Sequence, residues 1–262
     1  MDTLLDINNL SVSFNNGQSN VTAVKSIPFQ IYKGEIVCPG GESGSGKSVA
    51  ANSVMRLLDE SKTMVIAERM SFMSKSGECL DILQLPKDKL PGLRGQEIGM
   101  IFQEPMTSLN PVIKCGDQVA EGLLIHGLES THSVKDKVLE LFKEVGLDDS
   151  KRIFDSYPHQ LSGGQKQRIM IAMAMACNPS LLIADEPTTA LDVTVQKKIL
   201  EALKELSRNK GMAMLFISHD LNIVKQLADK ILVMFKGEIV EQGSTLEVFN
   251  HPKHPYTKGL LS

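Results

Sequence analysis

Gly41, Glu42, Ser43, Gly44, Ser45, Gly46, Lys47 and Ser48 read G-x-x-x-x-G-K-S, a spacing suited to gripping phosphate. Glycines let consecutive backbone N–H groups converge on an anion, because no side chain blocks the approach. A helix after the loop adds the positive end of its dipole. In that arrangement Lys47 reaches the β- and γ-phosphates of a triphosphate, and the Ser48 hydroxyl ligates Mg²⁺. A second group is Leu181-Leu182-Ile183-Ala184-Asp185-Glu186, an apolar run closing on two carboxylates. A buried strand ending in acids delivers charge to the carboxyl edge of a parallel sheet, where such sheets bind ligands. Asp185 then suits a Mg²⁺ contact beside Ser48, and Glu186 suits polarising a water for attack on the γ-phosphate. Alone, an Asp-Glu pair reads as a solvated strand end; the phosphate loop in the same chain tips the balance. The third group is Leu161-Ser162-Gly163-Gly164-Gln165. Ser162 is a good N-cap for a helix from Gln165 to Cys177, whose glycines and dipole offer another anion site. One nucleotide does not obviously need both.

These groups need elements to carry them. Glu35 to Cys38 reads as a short buried strand into the loop, and Val49 to Leu58 as the helix leaving it. Before them, Leu10 to Phe14, Thr22 to Val24 and Ile27 to Ile31 alternate in polarity, with turns at Asn15-Asn16-Gly17 and Lys33-Gly34, which predicts antiparallel strands. Residues 61–97 read as short strands extending that layer, and Ile98 to Phe102 as a strand. From Pro105 to about Pro179 helices dominate, including Ser133 to Val145 with Val134, Val138, Leu141 and Phe142 on one face. Buried strands then return at Leu181–Ala184, Ala213–Ser218 and Lys230–Phe235, with helices at Val193–Arg208 and Leu221–Ala228 and a hairpin through Lys236-Gly237. Strands alternating with helices predict a mainly parallel core sheet, an N-terminal antiparallel β layer and an inserted helical subdomain, an α/β fold. The expected division is a core of 1–103 with 180–250, a helical subdomain of 104–179 and a tail of 251–262.

Composition narrows the classes. The 262 residues are 42% apolar, enough for one large or two modest domains. A net charge of −3 gives no broad cationic face, so no nucleic-acid partner is expected. The N-terminal MDTLLDINNL lacks the features of a signal peptide, and the longest apolar run, Ile169 to Cys177, is too short to span a bilayer. Four isolated cysteines suit reduced thiols better than a disulfide or zinc framework. The expectation is a cytoplasmic α/β protein.

Taken together and in this order, phosphate loop, Gln103, LSGGQ at 161–165, LLIADEP at 181–187, Ala190-Leu191-Asp192 and His219, the chain resembles an ATP-binding cassette (ABC) ATPase along essentially its whole length. The resemblance implies a P-loop NTPase that binds ATP and Mg²⁺. It also implies a head-to-tail dimer, in which Ser162, Gly163, Gly164 and Gln165 of one subunit close over ATP held by the loop of the other. Gln103 is implied to contact Mg²⁺ and the attacking water and to report on a membrane subunit. His219 is implied to hold the γ-phosphate, Asp192 to communicate across the dimer and Phe14 to stack on adenine.

Three strings narrow the resemblance: Met100 to Pro111, Tyr157-Pro158-His159-Gln160 and His254-Pro255-Tyr256-Thr257 are similar to the dipeptide, oligopeptide and nickel importers. That implies integral membrane permease subunits, an indirect link to a solute-binding protein and a place on the cytoplasmic face of the membrane, with the solute itself left open. No iron–sulfur cluster is expected, and the ending in mid-tail allows for a piece of a longer or fused chain. Alternatives within reach are a soluble ABC ATPase of translation or DNA repair, and an ATP-driven dimerisation switch with little hydrolysis. One departure stands out: the family's aliphatic pair before the loop is here Pro39-Gly40. A proline lacks the ladder N–H and glycine removes packing, so a shortened or distorted strand and weakened nucleotide affinity are expected.

Overall fold

The computed structural model describes residues 2–261 except 16, 18, 104–107 and 189–191. Residues 1–87 with 213–262 form one compact unit and residues 88–212 another. The expected boundaries near 103 and 180 lie inside the second unit, which holds two strands besides its helices.

In the first unit, β1 (Thr3–Asn15) and β2 (Asn20–Tyr32) pair antiparallel, with β4 (Thr63–Ile66) and β5 (Arg69–Met73) along β1 and β6 (Cys79–Asp81) beyond β5. Leu5 and Ile7 are buried, and then Leu10 and Val12, so the inward alternation slips by one residue. The slip coincides with a register shift and with Asn9 in the left-handed region at φ 54. On β2 the buried set likewise passes from Val24 to Ile27 around Ser26, at φ 51. A β-bulge on each strand keeps both hydrophobic sets on one face, so the two segments expected between Thr22 and Ile31 are one continuous strand.

The same unit carries β3 (Ile36–Gly40), β9 (Ala213–Ile217), β10 (Lys230–Phe235) and β11 (Glu238–Ser244). β3 runs parallel to both β9 and β10, and β11 folds back antiparallel on β10. Every residue of β3 and β9 is buried, the continuous apolar character of strands covered on both faces.

Pro39 and Gly40 do not shorten β3. Both are buried strand residues, level with Leu232 and Val233 of β10. The departure is confined to the other side, where pairing with β9 is registered only at Ile36 and Val37. A proline without an N–H is tolerated once one flank of the strand has left its ladder. The loop helix is the shorter element instead: it spans Lys47–Val54, because Arg56 turns left-handed at φ 49 two residues later.

In the second unit, β7 (Ile98–Ile101) and β8 (Leu181–Asp185) pair in parallel, among helices that include Cys115–Ile125, Val134–Glu144, Gly163–Met175 and Val193–Lys210. Val134, Val138, Leu141 and Phe142 form the buried face of their helix, as their spacing predicts. The last of these helices is capped by Asp192 and ends at Gly211, left-handed at φ 61.

Candidate functional site

The 41–48 loop is built on glycines that other residues cannot replace. Gly41 and Gly46 hold φ values of 141 and 105, and a Cβ would lie 2.1 Å from the Met234 carbonyl oxygen at Gly41 and 2.6 Å from the Ala23 carbonyl oxygen at Gly46. The loop is therefore pressed against β10 on one side and β2 on the other. Lys47 is only 6% exposed, and its ammonium donates to the carbonyls of Gly41 and Glu42, each at 2.8 Å, and to Ser45 Oγ at 3.3 Å. A cation thus sits inside the loop, on the first residue of a helix with no acid in its opening turn. The Ser45 carbonyl accepts from the Gly237 amide of the β10–β11 turn, and the Glu42 amide donates to the hydroxyl of Tyr256 at 3.1 Å. Ser48, in the first helical turn, is half-buried. At the carboxyl end of β9, His219 is exposed, between Ser218 and Asp220, whose side chain caps the Leu221–Leu227 helix. Because β3 and β9 are parallel, the loop and His219 leave from the same edge of their strands.

In the second unit the β7–β8 register sets Ile101 level with Ala184. Gln103 and Glu186, each two residues further on, meet there: the Gln103 amide donates to Glu186 Oε2 at 3.4 Å. Asp185 is 3% exposed, whereas Glu186 is half-buried. Glu186 also has φ 47, a conformation that a non-glycine residue adopts only when its surroundings impose it. The left-handed residue comes directly after β8 ends at Asp185, and no residue pattern in the sequence announces it. Asp185 and Gln103 in this unit, and Ser48 in the first, each offer an oxygen donor, the kind that suits a hard cation such as Mg²⁺ that takes few protein ligands and keeps several waters. Among the described residues no three His, Cys, Asp or Glu side chains cluster as a metal site of their own. Glu104 to Thr107, Ala190 and Leu191, which belong to the strings that carry the family resemblance, lie outside the described residues.

Ser162 begins the Gly163–Met175 helix with a reciprocal cap: its Oγ accepts from the Gln165 amide at 3.3 Å, and its own amide donates to Gln165 Oε1 at 3.1 Å. Ser162 remains exposed. A Cβ on Gly164 would lie 2.9 Å from Val195, so glycine lets this helix start pack against the Val193–Lys210 helix. Ser162, Gly164 and Gln165 line an open cleft of about 380 Å³ together with Asp148, Arg168 and Lys198. Asp192 is exposed, and its carboxylate accepts from the Val195 amide at 2.9 Å, the work of an N-cap. Phe14 is half-buried on β1, between Val21 and Thr63, and so is not a core residue.

Comparison with known proteins follows the same lines. The ABC transporter family pattern matches residues 24–189. A putative peptide import ATP-binding protein of Brucella ovis is 46% identical over 258 residues, covering 98% of this chain and 76% of that protein. The glutathione import ATP-binding protein GsiA of Escherichia coli O6:H1 is 43% identical over 99% of this chain, which spans 42% of GsiA's length. Among solved structures, the dimeric post-hydrolysis state of the ATP-binding cassette MJ0796 bound to ADP and Pi superposes with a TM-score of 0.78 at 29% identity, over 92% of this chain and 99% of that one.

Proposed function

The chain belongs to the ABC transporter family, and from that premise we propose that it is the ATP-binding and ATP-hydrolysing subunit of an importer of peptides or a related solute such as nickel. One observation carries this reading: the chain has both a glycine loop with its lysine turned inward and a separate, serine-capped glycine helix start. A triphosphate cradled by the loop amides leaves its outer face open to the helix start of a second cassette. Two cassettes arranged head to tail then enclose two nucleotides. The MJ0796 structure is a dimer bound to ADP and Pi, which supports association of two cassettes in the nucleotide-bound state.

The residues divide the work by their chemistry. The amides of Glu42 to Ser48 and the Lys47 ammonium bind the β- and γ-phosphates, and the His219 imidazole donates to the γ-phosphate. Gln103 and Glu186, already hydrogen-bonded to each other, orient a water; Glu186 takes its proton as the γ-phosphorus is attacked and its bond to the β,γ-bridging oxygen breaks, giving ADP and phosphate. Ser162, Gly163, Gly164 and Gln165 of the partner close over the same phosphate with hydroxyl and amide donors. Ser48, Asp185 and Gln103 would hold Mg²⁺, which when bound neutralises charge on the phosphate oxygens. Phe14 stacks on adenine, and Asp192 communicates across the dimer.

Among the described residues no helix is long and apolar enough to cross a membrane. The importer relatives support a reading in which permease subunits carry out transport and this chain lies at their cytoplasmic face. The peptide and glutathione import relatives support the solute class. The test compares ATP turnover of the wild type and Glu186→Gln, alone and with membrane subunits. The variant should still bind ATP while turnover falls by about 10²-fold or more, the scale of general-base catalysis. Unchanged turnover in the variant removes Glu186 as the base. Tight ATP binding without turnover in the wild type, permease present, favours the dimerisation switch.

A further inference from the structure

The peptide unit joining Gly41 to Glu42 is held at both ends. Its carbonyl accepts from the Lys47 ammonium at 2.8 Å, and its N–H donates to the Tyr256 hydroxyl at 3.1 Å, from a residue 214 positions away. Tyr256 is itself fixed. Its ring packs on Phe235, at the end of β10, with centroids 4.2 Å apart, and its amide donates to His254 Nδ1 at 3.2 Å. The residues before it are anchored by one carboxylate: Glu241 on β11 accepts the Lys253 amide on Oε1 at 2.8 Å and the His254 amide on Oε2 at 3.0 Å. Burial pushes the Glu241 carboxyl up, but hydrogen bonds from the tail outweigh it and hold the group below the usual carboxylate range.

We propose that Tyr256 is a positioning residue for nucleotide binding: through the 41–42 peptide it fixes the Lys47 ammonium and the entry of the phosphate loop, so the 253–256 tail is part of the ATP site's support. This rests on the reading of the loop as the ATP site. A peptide plane with both polar groups engaged is held more firmly than one held at the carbonyl alone, and a loop that must be ordered on binding gives up affinity to do so. Glu42 is exposed, so water replaces a lost phenol without leaving a buried orphan. The effect therefore falls on loop order and nucleotide affinity and leaves global stability alone.

The experiment measures equilibrium binding of MgATP to the full chain, and its melting temperature, for wild type, Tyr256→Phe and Tyr256→Ala. Phenylalanine keeps the ring contact with Phe235 and loses only the hydroxyl. The expected result is a roughly two- to tenfold weaker ATP affinity in Tyr256→Phe, the worth of one hydrogen bond, at an unchanged melting temperature. Tyr256→Ala should lose affinity to at least the same extent and also melt lower. Wild-type affinity in Tyr256→Phe overturns the proposal, whether or not the alanine variant melts lower, because the tail is then packing alone. A wild type that binds no MgATP overturns the assignment of the loop itself, and this proposal with it.

Discussion

Glu186 is the residue where chemistry and conformation meet. A carboxylate at φ 47, hydrogen-bonded to Gln103, is held out of line with the strand that delivers it. Strain of this kind costs on the order of 1–3 kcal/mol and persists only where packing over-determines it. The neighbouring Asp185 follows the strand and is buried, so two adjacent acids of the same charge have different surroundings and suit different work. Asp192 raises a separate question, because its hydrogen bond to the Val195 amide already accounts for an aspartate there. Asparagine caps a helix as well as aspartate does. Asp192→Asn should therefore keep the melting temperature of the wild type, whereas Asp192→Ala loses about 1 kcal/mol. If ATP turnover falls in the asparagine variant at full stability, the charge acts across the dimer; if only the alanine variant is impaired, in stability and turnover together, Asp192 is a cap and nothing more.

At the scale of elements, much was legible because the buried strands are short apolar runs bounded by turns. Leu181–Asp185 and Ala213–Ile217 fall within a residue of their sequence-derived limits. Ser162 was legible as a cap because serine is a preferred N-cap residue, a local signal. The bulges at Asn9 and Ser26 were not, because a slipped alternation looks like two separate strands until the partner strand is known. The left-handed Arg56 was equally silent, so the loop helix was drawn too long. The bond from Tyr256 to Glu42 joins residues too far apart in sequence for any local pattern to report. Pro39-Gly40 carried a clear signal with a smaller consequence than a shortened strand: both residues pair with β10, and the departure from regularity is the loss of β9 pairing beyond Val37. A Cβ on Gly40 would meet nothing within 4 Å, and its φ is not left-handed. Gly40→Ala should therefore raise stability by about 0.5–1 kcal/mol, the usual penalty of glycine within a strand, seen as a higher denaturant midpoint at unchanged slope. A lower midpoint would mean that the strand needs glycine's freedom after all.

For the whole molecule, the decisive fact is that one chain carries two glycine-led helix starts, the first with a lysine turned into its loop. On the function proposed above, such a chain completes its site with a second cassette, so that nucleotide binding drives association and hydrolysis drives release. The most direct measurement is a structure of the Glu186→Gln chain with its partner cassette, MgATP bound and turnover blocked. The expected result is each triphosphate lying between residues 41–48 of one cassette and the serine-glycine helix start of the other, with residues 162–165 of this chain facing the partner's nucleotide. Residues 162–165 closing over the nucleotide of their own chain, or facing no nucleotide at all, would contradict it.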